Sequence, residues 1–177
     1  APGGAPFSVQ VEQGVTPWNP NTRLVQIGIK GQVPDLNEVP AANLVFLVDV
    51  SGSMAPANRL PMMINAMKML VRELSAADRV AIVVYAGGTE VALESTPGDQ
   101  KAKINAALDQ LSAAGSTNGG AGIQLAYAQA EQGYIEDGIN RVILVTDGDF
   151  NVGTVTFQAL IDLARQRRAT GIALTTL

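Results

Sequence analysis

Asn43-Leu44-Val45-Phe46-Leu47-Val48-Asp49-Val50-Ser51-Gly52-Ser53-Met54 joins an unbroken apolar run to a short stretch of oxygen-bearing side chains. Leu44 to Val48 is rich in β-formers and lacks polar alternation, as expected of a parallel strand covered on both faces. Val80 to Tyr85 and Val142 to Val145 read the same way, and Ile172 to Leu177 is a weaker copy. Between these strands the apolar spacing turns helical. Leu60, Met63, Ile64, Met67, Leu70, Val71 and Leu74 form one stripe. Ile104, Leu108 and Leu111 form a second, with Asp99 expected as its N-cap. Ile123, Tyr127 and Ala130 form a third that ends near Gly133. Phe157, Leu160, Ile161 and Ala164 form a fourth, closed by Gly171. Glu90 to Glu94 follows Tyr85 after only Ala86-Gly87-Gly88-Thr89, too short for a crossover, so that pair is an antiparallel hairpin. The order predicts an α/β fold: a doubly wound, mostly parallel, Rossmann-like sheet with one antiparallel edge strand.

Residues 1–42 follow another pattern. Ala1-Pro2-Gly3-Gly4-Ala5-Pro6 reads as a linker. Phe7 to Val15 and Arg23 to Lys30 alternate apolar with polar residues across the turn-rich Pro17-Trp18-Asn19-Pro20-Asn21. That predicts a β-hairpin exposed on one face, with Trp18 packed against it. Gln32 to Ala42 carries two prolines and reads as a connecting loop. The expected organisation is linker, hairpin and loop over 1–42, then an α/β domain over 43–177.

Composition narrows the chemistry. A chain of 177 residues, 47% hydrophobic, is long enough to bury a substantial core. It has no cysteine, which excludes disulfides, thiolate nucleophiles and thiolate-bound zinc. It also has no histidine, which removes the Ser-His and Cys-His catalytic pairs. Any metal site is therefore built from oxygen, which favours Mg²⁺, with Mn²⁺ or Ca²⁺ as alternatives. A net charge of −4 without a basic stripe argues against nucleic acid. The longest apolar runs are about six residues, against roughly 20 for a membrane helix, so no transmembrane segment is expected.

Ligands of open α/β sheets bind at the carboxyl ends of the strands. There the first buried strand delivers Asp49, Ser51 and Ser53, and Val142 to Val145 runs into Thr146-Asp147-Gly148-Asp149. A third loop, Ala114-Gly115-Ser116-Thr117-Asn118-Gly119-Gly120, precedes a helix on the same side, and its glycines permit close backbone approach. Asp49, Ser51, Ser53, Thr117 and Asp147 are thus the candidate metal ligands. Three hydroxyls and two carboxylates leave a dication under-neutralised, with an inner position that attracts an outside carboxylate.

Several of these residues also have ordinary structural roles open to them. Ser51 and Ser53 fit a strand-to-helix turn with N-capping serines, and Asp149 fits a cap for the turn that follows. Met62, Met63, Met67 and Met69 read as core filler, while Met54 is placed to floor the site. Arg165, Arg167 and Arg168 read as a solvated helix end that suits the dipole. Gly119-Gly120-Ala121-Gly122 lacks the lysine and the spacing of a phosphate loop.

The order D-x-S-x-S, loop threonine, strand-end aspartate resembles the metal-ion-dependent adhesion site (MIDAS) of von Willebrand factor type A (vWA) domains. Asp49, Ser51 and Ser53 match its first element, Thr117 the second and Asp147 the third. The resemblance covers residues 43–177. It extends to bacterial vWA proteins of secreted or lipoprotein type through Pro17-Trp18-Asn19, NLVFLVDVSGSM, the GST-containing loop, NRVILVTDGDFNVG and the hairpin. It implies that the serines coordinate directly, while the threonine and distal aspartate alternate between direct and water-mediated contact. It further implies an extracytoplasmic, cation-dependent module that binds a protein ligand through an exposed Asp or Glu carboxylate, and no catalysis. A complete vWA domain carries one more helix and strand after the match to Ile172–Leu177. Two other readings stand beside this one. The first is a Mg²⁺-dependent phosphoryl-transfer enzyme with Asp49 as nucleophile, although Ser51 occupies the place of its general acid. The second is an assembly scaffold whose metal site is unused.

Overall fold

In the computed structural model, residues 7–31, 39–115, 120–148 and 157–177 are described. Leu44 to Val48 lies within β3 (Ala42–Asp49), the central strand of a five-stranded sheet. On one side β3 pairs in parallel with β4 (Arg79–Tyr85), which pairs antiparallel with β5 (Thr89–Pro97). On the other side it pairs in parallel with β6 (Ile139–Val145), itself parallel to β7 (Ile172–Thr176). The order is β5-β4-β3-β6-β7, mostly parallel with one antiparallel edge, as expected.

Because successive side chains of a strand point to opposite faces, β3 feeds two cores. Val45 and Leu47 pack with Ile123, Tyr127 and Ala130 of α3 (Gly120–Gln132), with α4 (Phe157–Ala169) contributing Leu160 and Leu163. Phe46 and Val48 pack with Leu60, Met67 and Val71 of α1 (Leu60–Glu73) and with Ile104 and Leu108 of α2 (Lys101–Asp109). Helix α3 lies close on the sheet because Gly122 has no side chain. A Cβ there would sit 3.0 Å from Leu47 Cδ1 and 3.3 Å from Tyr85 Cβ. Gly171 stops α4 with φ +89°, a conformation open to glycine at little cost.

Some expectations are corrected. Asp99 does not cap α2. Its carbonyl accepts the Lys101 N–H at 2.8 Å, and Gln100 takes the cap position without a side-chain bond. Met67 is buried and Met63 packs on the core, but Met62 and Met69 are exposed. At 100° per residue those two fall on the outer side of α1. Arg165 is solvated beside Asp162, whereas Arg167 pairs with Glu131 and stacks over Tyr127, tying α4 to α3. Asp149 lies outside the described residues.

The chain forms two compact units, Ala1–Val39 and Pro40–Leu177. In the first, β1 (Phe7–Thr16) and β2 (Asn19–Gly31) form an antiparallel ribbon. The pairing puts Phe7, Val9, Val11, Val15, Val25, Ile27 and Ile29 on one face, and each is more than half exposed. Trp18 is 76% exposed rather than packed. It sits in the turn, beyond the last cross-strand pair. Among the described residues no helix is long and apolar enough to cross a membrane.

Candidate metal centre

Asp49 is the last residue of β3, opposite Tyr85 on β4, and Val48 pairs with Val145 on β6. This register brings the strand ends that carry Asp49, Tyr85 and Thr146-Asp147 to one rim. Asp49 is fully buried. Its Oδ1 accepts the Ser51 N–H at 2.8 Å, which fixes the carboxylate, while the buried Oδ2 meets no donor at hydrogen-bonding geometry. A buried carboxylate oxygen left in this state is costly unless a cation or donor comes to it.

Beyond Asp49 the chain makes a short 3₁₀ turn, Gly52–Met54. The turn folds Ser51 and Ser53 back together, with their hydroxyl oxygens 3.0 Å apart. Neither hydroxyl serves as a helix cap; Ser51, in the N-cap position of this turn, makes no side-chain cap bond. Met54 is buried in the core with Val48 and Leu60, below the turn. The loop ahead of α3 is tied to the same turn. The Gly52 N–H donates to Gly115 O at 3.1 Å, and the Ala114 N–H donates to Val50 O at 2.7 Å. Thr117, two residues on, lies outside the described residues.

Asp147 follows β6 with its side chain 8% exposed, and it receives Arg59. Arg59 Nη1 lies 2.5 Å from Asp147 Oδ2 and donates to Ser53 O at 2.7 Å. Tyr85 reports where both carboxylates sit. Burial pushes its phenol well above the ordinary range, the Thr146 hydroxyl pulls the other way, and the Asp49 charge, a hydrogen bond to the Asp49 carboxylate and the Asp147 charge push it further up. Both aspartates therefore stand near one phenol. Neither Arg59 nor Tyr85 stands out in the sequence. Tyr85 carried a signal, as the polar-tipped end of an apolar strand; Arg59 is a lone basic residue before a helix and carried none.

This donor set fits a small hard cation. Adjacent ligands of an octahedral ion at 2.1 Å are about 3.0 Å apart, and those around Ca²⁺ are farther apart. The serine hydroxyls share a hydrogen bond at 3.0 Å, a separation that adjacent Mg²⁺ ligands could also adopt, and Asp49 Oδ2 makes no hydrogen bond of good geometry. No group of three or more acidic side chains with metal-binding geometry occurs among the described residues.

Comparison with known proteins follows the same lines. The von Willebrand factor type A domain profile matches residues 44–150. The uncharacterized protein YfbK of Escherichia coli K12 is 47% identical over 171 residues, 97% of this chain and 30% of that protein. The chain spans about 30% of the length of the curated relatives it matches. Among solved structures, BatB of Bacteroides thetaiotaomicron is similar at TM-score 0.62 and 24% identity, covering 77% of this chain and 65% of that one. Proximal thread matrix protein 1 from the mussel byssus, solved with a zinc-occupied MIDAS motif, is similar at TM-score 0.63 and 22% identity, over 78% and 38%. At these identities the two structures speak for the fold alone. The profile match over most of the α/β unit settles the family: this chain belongs to the von Willebrand factor type A domains.

Proposed function

We propose that this domain binds one divalent cation, Mg²⁺ before Mn²⁺ or Ca²⁺, through Asp49, Ser51, Ser53, Thr117 and Asp147. Through that cation it binds an exposed Asp or Glu carboxylate on a partner protein. The observation that carries the reading is the pair of serine hydroxyls 3.0 Å apart beside a buried Asp49 oxygen that makes no hydrogen bond of good geometry. The zinc-occupied site of the mussel byssus protein supports a divalent ion in this fold. A dication held by mostly neutral oxygens supplies a Lewis-acidic position for an outside carboxylate. Asp49 is fixed by the Ser51 N–H and shielded from water by burial.

The reading is of a binding module outside the cytoplasm and not of an enzyme. Its chemistry supports this: no histidine or cysteine is available, and Ser51 stands where a phosphoryl-transfer enzyme would need an acid. The extracytoplasmic location rests on the resemblance to secreted bacterial proteins.

Calorimetry tests the core of it. The wild type is expected to take up one Mg²⁺, and Asp49→Ala to lose that uptake. Acidic peptide is expected to bind in Mg²⁺ and to dissociate in chelator, with no hydrolysis of a phosphate ester under the same conditions. A wild type that takes up no divalent ion at millimolar concentration removes the proposal. Turnover abolished by Asp49→Asn replaces it with the enzyme reading.

A further inference from the structure

We propose that Arg59 is a tethered counter-cation that competes for Asp147 and so sets a low cation affinity at this site. The inference rests on the cation reading above and adds to it a residue outside the motif. Arg59 occupies the residue before α1, and its Nη1 reaches both Asp147 Oδ2 at 2.5 Å and Ser53 O at 2.7 Å. Arg59 thus touches two residues of the candidate ligand set, Asp147 through its carboxylate and Ser53 through its backbone carbonyl. Asp49, the other carboxylate at the same rim, takes the Ser51 N–H and lies beside the Tyr85 phenol, whereas Arg59 pairs with Asp147. Arg59 thus neutralises one of the two charges a dication would use and leaves the other.

Two consequences follow from elementary electrostatics. A dication at Asp49, Ser51 and Ser53 finds Asp147 already paired, and it lies close to a fixed positive charge. The Asp147 side chain is 8% exposed and the Arg59 side chain 39%, so water screens this repulsion only in part. The same charge favours an incoming anion. Arg59 therefore trades cation affinity for a more electropositive site. Among the described residues, the groove beside it is lined by one carboxylate, Asp147, and one cation, Arg59 itself, with Asn58, Met62, Met63, Thr146 and Leu177 apolar or neutral.

The experiment measures Mn²⁺ binding to the full chain by the loss of free-ion paramagnetic resonance, for wild type, Arg59→Met, Arg59→Lys and Asp49→Ala. Arg59→Met is expected to bind Mn²⁺ about tenfold more tightly than wild type, and raising NaCl from 50 to 500 mM to narrow that gap. Arg59→Lys keeps the charge and is expected to stay within about threefold of wild type. Melting gives an independent readout. In chelator Arg59→Met is expected to melt below wild type, because the Arg59–Asp147 ion pair is gone, and saturating Mn²⁺ to raise it more than it raises wild type. Wild-type binding lost in Asp49→Ala but unchanged or weakened in Arg59→Met overturns this inference and leaves the cation reading standing. Absence of Mn²⁺ binding in wild type and both Arg59 variants overturns both.

Discussion

Asn43 and Asn140 face each other on β3 and β6, both buried, and their side chains take over backbone duties. Asn43 Nδ2 donates to Ala130 O at 2.9 Å and to Asn140 Oδ1 at 3.2 Å. Asn140 also clamps the turn before β6, where its Oδ1 accepts the Ile135 N–H at 2.9 Å and its Nδ2 donates to Ile135 O at 2.8 Å. Removing that amide leaves two backbone groups of Ile135 and the Asn43 amide short of partners. Each such loss costs about 1–3 kcal/mol when the group is shielded from water. Because the Ile135 bonds are only part-buried and Asn43 keeps Ala130 O, Asn140→Ala is expected to fall at the low end of that sum, about 3 kcal/mol, or about 6–12 °C in melting temperature. A thermal melt within about 2 °C of wild type would mean water replaces the clamp freely. Reading for apolar runs began these strands at Leu44 and Val142, because an asparagine interrupts the run. The same limit hid Arg59. Its partner lies 88 residues away, and no local spacing announces a contact set only by the meeting of strand ends. Asp49, Ser51, Ser53 and Asp147 were legible because their positions follow from where apolar strands stop. Thr117 lies outside the described residues.

Elements were most legible where one face alone is buried. The stripe from Leu60 to Val71 sits on α1 as read, and Met62 and Met69 left the core only because composition was read in place of angle. Element ends were harder, since tertiary partners supply the caps. The last carbonyls of α1, at Val71 and Arg72, and the next at Leu74 all accept from Lys101 Nζ, at 2.7, 2.6 and 2.9 Å. Asp78 does similar work between α1 and β4. It accepts the Ala42 N–H at 2.8 Å and both the N–H and the hydroxyl of Ser75 at 2.7 Å. Partial burial pulls its pKa up. The Ser75 and Ala42 bonds and the Lys101 charge outweigh that and hold it below the ordinary carboxylate value of 3.8. The sign follows from linkage. A carboxylate with a depressed folded pKa stabilises the fold above its unfolded pKa, and that stability is lost as pH falls through the folded one. Wild type is therefore expected to lose more melting temperature between pH 5 and about pH 3 than Asp78→Asn, which starts lower and has no charge there to lose. Parallel losses in the two proteins would assign the acid sensitivity to other carboxylates.

At the scale of the whole molecule, the buried apolar residues of both core clusters run from Val45 to Ile172, all within Pro40–Leu177. The ribbon's strands were legible from alternation, because period-two patterning marks a strand whatever covers it. What the pattern does not carry is the cover itself. A two-stranded ribbon is marginally stable in water on its own, whereas a five-stranded sheet with helices on both faces closes its own core. A chain of residues 40–177 is therefore expected to fold with the same Mn²⁺ uptake as the 177-residue chain. Its melting temperature is expected to change by less than about 4 °C, the scale of 1 kcal/mol in a domain of this size. Removing Phe7, Val9, Val11, Ile27 and Ile29 takes away an exposed apolar face. Fluorescence of a hydrophobic dye bound to the folded protein is accordingly expected to fall. The two readouts separate the alternatives. Unchanged melting with reduced dye binding means that the α/β unit carries the fold and the site, and the ribbon carries the sticky surface. A melting temperature lower by 10 °C or more, or a loss of Mn²⁺ uptake, would show that residues 1–39 are part of what holds the sheet and its rim in place.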